Sequence, residues 1–137
     1  MPPSKQPPPT PFAMVLDQVQ GPLPFVPRAT AGGGVVWEYQ VDPLHYNPYG
    51  ALHGGVVMAL LDSAMGQAVA TAVHGAGRFN AAAQMSVNFL APVYSGLLRA
   101  EAQIVKVGKR LAVVEARARD GSGAVVALAT ATHSLLP

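Results

Sequence analysis

No cysteine occurs in the 137 residues, which excludes disulfides, thiolate metal sites and a cysteine nucleophile. Charge is scarce as well: Asp, Glu, Lys and Arg make up 12% of the chain, for a formal net charge of +2. Aromatic residues amount to 7% and do not interleave with the basic ones, so the pattern of cations and stacking rings that marks nucleic-acid binders is missing. The N-terminus has no basic patch followed by an apolar run and does not read as a signal peptide. The longest apolar stretch, which starts at Gly54, is interrupted by Asp62, Ser63 and Gln67, against a membrane span. The expected location is the cytoplasm, with neither nucleic acid nor membrane as a partner.

Apolar residues, by contrast, make up half of the chain, enough for one packed core and too few residues for two. Residues 1–11 hold six prolines and read as a flexible leader, leaving residues 12–137 as a single domain. Phe12, Val15, Leu16 and Val19 fall at helical spacing and predict a short amphipathic helix that Gly21-Pro22 stops. Beyond Leu90 the charge turns basic, with Arg99, Lys106, Lys109, Arg110, Arg117 and Arg119 against three acids. Such a surface attracts anions.

Residues 35–41 alternate, with Val35, Trp37, Tyr39 and Val41 on one side and Glu38 and Gln40 on the other, which predicts a half-buried strand. Residues 54–73 contain no proline and predict a long helix, dry except for a stripe of Ser63, Gln67 and Thr71. His74 and two glycines end it. Four further alternating runs follow, around Ser86, Glu101, Arg117 and Thr130, the last three joined by glycine-bearing hairpin turns. The expected fold is α+β: a curved, largely antiparallel sheet of five strands wrapped around one central helix.

Two features carry chemistry. His53-Gly54-Gly55 opens the helix, where backbone N–H groups lack intrahelical partners and lie at the positive end of the dipole. They suit an oxygen that gains charge during acyl transfer, although for the glycines taken alone a tight turn into the helix is the better explanation. Asp62 lies in mid-helix among Met58, Ala59, Met65, Gly66 and Val69, where capping does not account for it. A carboxylate desolvated there needs a partner or serves as a base of raised pKa; a structural hydrogen bond is the alternative. Gly66, one turn on, leaves space beside it.

Asn47-x-x-Gly50-x-x-His53-Gly54-Gly55 followed by Asp62 resembles the signature of hotdog-fold thioesterases of the phenylacetic-acid-degradation type. Ser86-Val-Asn-Phe-Leu-Ala-Pro92, Gly96, Val107-Gly-Lys-Arg110 and Asp120-Gly121 support the resemblance over residues 35–133. It implies acyl-CoA hydrolysis without metal or other cofactor, coenzyme A being part of the substrate. It further implies that Asp62 activates water or attacks the carbonyl itself, that the Gly54 N–H and Asn47 hold the thioester oxygen, and that His53 places the thioester or its leaving sulfur. Gly55, Gly66, Met58 and Met65 would line the substrate, and Arg78, Lys109 and Arg110 would meet the CoA phosphates. Relatives often carry Ser or Thr just before the second strand to hold the water; here that stretch is Ala81-Ala82-Ala83, with Gln84 after it.

Gly54 and Asp62 are eight residues apart on one helix, about 12 Å along its axis. One carbonyl cannot reach both, so a shared site requires two chains related by a two-fold axis. A homodimer is the expected minimum, and a tetramer of two dimers is compatible with it. Two rival readings stand beside hydrolysis: a hydratase or dehydratase on the same fold, and a non-catalytic acyl-CoA binding module. Ser63 has no nearby base, and His45, His74 and His133 show no ligand spacing; His133 reads as the edge of the last strand.

Overall fold

The computed structural model describes residues 23–31, 34–73 and 79–137. The predicted leader, the predicted helix at Phe12–Val19, His74 and Arg78 lie outside them.

Six strands form one antiparallel sheet among the described residues: β1 (Val26–Ala29), β2 (Val35–Gln40), β3 (Phe79–Phe89), β4 (Leu97–Val107), β5 (Leu111–Arg119) and β6 (Val125–Leu136). Their spatial order is β1-β2-β4-β5-β6-β3, so the short β1 and the long β3 are its edges. One helix, α1 (Gly54–Val73), packs on the concave face against β2 through β6. This is the predicted architecture with one strand more. β1 escapes the alternation rule because it has four residues and one of them is Pro27, which an edge strand tolerates.

Alternation decides what the sheet buries. Trp37, Tyr39, Leu98, Ala100, Val114, Ala116, Ala129 and Ala131 point inward onto Leu60, Leu61, Met65 and Val69 of α1. Each fully buried large side chain contributes about 1.5–3 kcal/mol. Small alanines on β4, β5 and β6 let the sheet close tightly on the helix. The phenol ring of Tyr39 meets Phe25 edge to face at 5.6 Å. By length and apolarity α1 is comparable to a membrane-spanning helix, but here most of it is enclosed by the sheet.

Two expectations about polar groups need correction. Ser63 and Gln67 are not a wet stripe: both are buried. Ser63 Oγ donates to the Ala59 carbonyl (2.9 Å) and Gln67 Oε1 accepts from Trp37 Nε1. A buried amide is tolerated because the indole N–H satisfies it. Glu38 is likewise buried although it alternates with the apolar face, since Arg28 and Arg99 clamp its two oxygens at 2.6 and 2.7 Å.

The two hairpins form as predicted. In the first, the Gly108 N–H donates to the Leu111 carbonyl (2.8 Å). In the second, Asp120 Oδ1 accepts from the Ser122 and Ala124 N–H groups, and Gly123 takes a positive φ of 88°.

Candidate active site

The site begins in the loop before α1. Buried Tyr39 anchors it, its hydroxyl bonded to His45 Nδ1 (2.6 Å) and to the Asp42 N–H (3.1 Å). Asn47 then folds the chain on itself: its Oδ1 accepts from the Tyr49 and Ala51 N–H groups at 2.9 and 3.2 Å. With the oxygen so committed, the Nδ2 donors remain for another group. Gly50 completes this turn with a φ of 81°.

His53 fixes the helix start. Its carbonyl accepts from Val56 and Val57, and its Nδ1 accepts from the Gly55 N–H at 2.9 Å. That bond requires an unprotonated Nδ1, so the neutral ring carries its proton on Nε2, a donor on an exposed side chain. Glycine at 55 leaves room for this bond, since a Cβ would sit 3.0 Å from the ring nitrogen and push the imidazole aside. The N–H groups of Gly55, Val56 and Val57 are thus occupied. Gly54 is the first helical residue, and no hydrogen bond of its N–H is recorded among the described residues. Phe89 lies over it, 3.3 Å from where a Cβ would be. Asn47 and Gly54 share the wall of a cavity of about 340 Å³, otherwise lined by apolar side chains such as Leu52, Val57, Phe89 and Leu90.

Asp62 is exposed in the single chain, contrary to the burial expected from its apolar neighbours. The reason is the rotation of α1: Gly55, Met58 and Asp62 fall on a face that the sheet leaves open. Apolar packing at its flank still desolvates the carboxyl and holds its pKa above the ordinary value, while the charge of His133 acts in the opposite sense. Met65, expected to line the substrate, belongs instead to the core, where it is fully buried with Leu61 and Val69. Met58 stays 36% exposed beside Asp62. At Gly66 an added Cβ would meet nothing within 4 Å. Lys109 and Arg110 are exposed on the β4–β5 hairpin, at the end of the sheet where Leu111 pairs with Ser134. The Ala81–Ala83 stretch lies inside β3 rather than before a strand.

Sequence reasoning missed His133. It is buried on the inner face, opposite Ala82, with its Nδ1 2.8 Å from Asn80 Oδ1. The signal was present: one further step of alternation beyond Ala129 and Ala131 carries the inward face to residue 133. Phe89 and Asn80 were not singled out either, because alternation says which face a residue takes but not which helix residue it meets.

A family model described as the thioesterase superfamily matches residues 49–127. That span includes Gly54 and Asp62 and exceeds half of the chain; the chain belongs to the thioesterase superfamily and has the hotdog fold. Among its relatives, a Saccharolobus solfataricus protein named as a candidate esterase is 37% identical over 61% of this chain and 54% of its own length. The chain thus spans about half the length of that curated relative. A Bacillus halodurans protein solved with CoA is 33% identical, covers 73% of this chain and 70% of its own, and superposes with a TM-score of 0.70. A phenylacetic acid degradation-related protein of Ralstonia eutropha is 28% identical over 90% of this chain and 98% of its own, with a TM-score of 0.76.

Proposed function

We propose that the protein hydrolyses acyl-CoA thioesters in the cytoplasm, at two equivalent sites of a homodimer. The observation that carries this reading is the pairing of unoccupied donors with an isolated base. Gly54 and Asn47 line one apolar cavity, and Asp62 stands on the open face of the same helix. The Bacillus halodurans relative solved with CoA supports a ligand of that class.

Each residue then has one task. Asp62 of one chain takes a proton from water as the water oxygen attacks the thioester carbon. The oxyanion that forms accepts from Gly54 N–H and Asn47 Nδ2 of the other chain, at the positive end of α1. As the C–S bond breaks, His53 Nε2–H lies at the donor position for the departing sulfur. The departing thiolate takes the proton held by Asp62 and leaves as CoA thiol, while the acid ionises to a carboxylate and gives its proton to solvent. Edge strand β3 supports the two-chain arrangement, being eleven residues long, largely exposed and unpaired on its outer side among the described residues.

The test is release of CoA thiol from a panel of aromatic and medium-chain acyl-CoAs, followed by subunit mixing. Gly54→Pro removes the N–H at the first helical position, where the proline backbone fits and its ring requires only that the exposed Phe89 side chain shift, and Asp62→Ala removes the base. Each variant alone should be inactive. In a mixed dimer one site holds both intact groups, so activity should return to about half per mixed dimer for independent sites. Confirmed exchange without recovered activity refutes the shared site, and absence of thiol release across the panel refutes the hydrolase.

A further inference from the structure

His133 is a titratable group buried to 98% whose Nε2 is enclosed and has no hydrogen-bond partner among the described residues. Burying a polar nitrogen without a partner costs free energy, so such an atom calls for an explanation. The bonds around it define its state. Asn80 Nδ2 donates to the Gly66 carbonyl (3.4 Å), which leaves Asn80 Oδ1 as an acceptor toward His133. His133 Nδ1 therefore carries a proton, and in the neutral ring Nε2 is a bare lone pair. Gly66 is one helical turn beyond Asp62, so Asn80 ties the imidazole to the part of α1 that carries the carboxylate.

Among the described residues, the elements packed around His133 offer one ionisable counterpart. Asp62 is the only titratable residue of α1, and β3 contributes Asn80 and Ala82 but no ionisable group. On β5 the neighbour is Ala112, and His133 is the only ionisable residue of β6. Lys109 and Arg110 lie on the adjoining hairpin and are exposed. No hydrogen bond joins Asp62 to His133; burial pushes the imidazole below its ordinary pKa and the carboxyl above its own, and the charge of each group opposes that shift in the other.

We propose that His133 is the positioning residue of Asp62: a buried imidazole, oriented by Asn80, that takes a proton at Nε2 on acidification and so holds the neighbouring carboxylate in its ionised form. This inference rests on the reading of Asp62 as the base. It also gives the Ala81–Ala83 stretch a counterpart, since the polar group beside the base comes from β6 opposite Ala82 rather than from a hydroxyl on β3.

The test uses the full chain with hexanoyl-CoA and phenylacetyl-CoA as probes, released thiol being trapped by a dithiodipyridine across acid to neutral pH. Without the imidazolium, Asp62 protonates at higher pH, so the acid limb of kcat/KM in His133→Gln should move upward. A merely structural histidine would lower activity by the same factor at every pH, and a normalised profile that superposes on wild type overturns the proposal. Should His133→Gln not fold, the answer comes from the NMR titration of the His133 ring in wild type and in Asp62→Asn. Loss of the carboxylate should move the midpoint to lower pH, and an unchanged midpoint overturns the proposal. Near-wild-type turnover by Asp62→Asn removes Asp62 as the base and the proposal with it, whereas an inactive Asp62→Asn with an unmoved His133 removes the proposal alone.

Discussion

Asp62 is the only charged residue on α1, and desolvation holds its carboxyl above the ordinary carboxylate range. The raised value has a consequence for stability. Between the unfolded and folded pKa the native chain binds the extra proton, so this group's contribution weakens as pH rises through that window. Above the window the full cost of the carboxylate is present. Asp62→Asn keeps the shape and removes the charge, so it should melt at higher temperature than wild type at neutral pH while losing at least about a hundredfold in turnover, the scale of a lost general base. Thermal unfolding beside thiol-release kinetics checks both; a variant that is less stable and fully active contradicts the role. The sequence made Asp62 conspicuous because nothing local explained it. It did not reveal that the side chain is exposed, because burial of one helix face depends on where the sheet stops. His133 shows the converse, a residue that looks marginal in the sequence and is buried once β3 and β6 pair.

Among the elements, α1 was the most legible, since twenty residues without proline between two glycine-bearing segments fixed both of its ends. The long strands were legible by alternation, and β1 was not, because Pro27 and a length of four residues mask the pattern. The Ser63–Gln67–Thr71 stripe misled because spacing shows that residues share a face, not whether water or Trp37 lies opposite. Gly66 gives a prediction at this scale. Its added Cβ would meet nothing within the chain, so Gly66→Ala should stabilise α1 by about 0.5–1 kcal/mol. If the open space beside Asp62 receives substrate or a second chain, the same variant should raise KM. Higher stability with unchanged kinetics would show that the space is unused. The β4–β5 hairpin gives another. Lys109→Ala with Arg110→Ala should raise KM for CoA esters and leave pantetheine thioesters, which lack the nucleotide phosphates, nearly unchanged. Equal effects on both classes would remove the hairpin from CoA binding.

For the whole molecule, the proposed shared site dictates where a two-fold axis would cross α1. If Gly54 of one chain faces Asp62 of the other, the axis passes near the residue midway between them, Met58. Met58 is one of the few large apolar side chains of the helix that reach solvent, at 36% exposure, on the same open face as Gly55 and Asp62. A residue on a two-fold axis meets its own copy, so a single substitution there reports on symmetry directly. The absence of cysteine from the chain makes that report clean. Met58→Cys introduces the only thiol, and two such thiols at the axis fall near the geometry of a disulfide if their Cα atoms approach within about 7 Å. Mild oxidation, or a short bismaleimide that spans a slightly longer gap, should convert Met58→Cys to a covalent dimer in high yield on a non-reducing gel. Thr71→Cys, exposed two and a half turns beyond Asp62, should remain monomeric under the same treatment. Met58→Glu, which sets two like charges against each other on the axis, should shift the molecule toward monomer in sedimentation and abolish hydrolysis with the fold intact. Efficient cross-linking through Thr71→Cys and none through Met58→Cys would place the axis elsewhere on the helix, and Gly54 and Asp62 could then not serve one thioester.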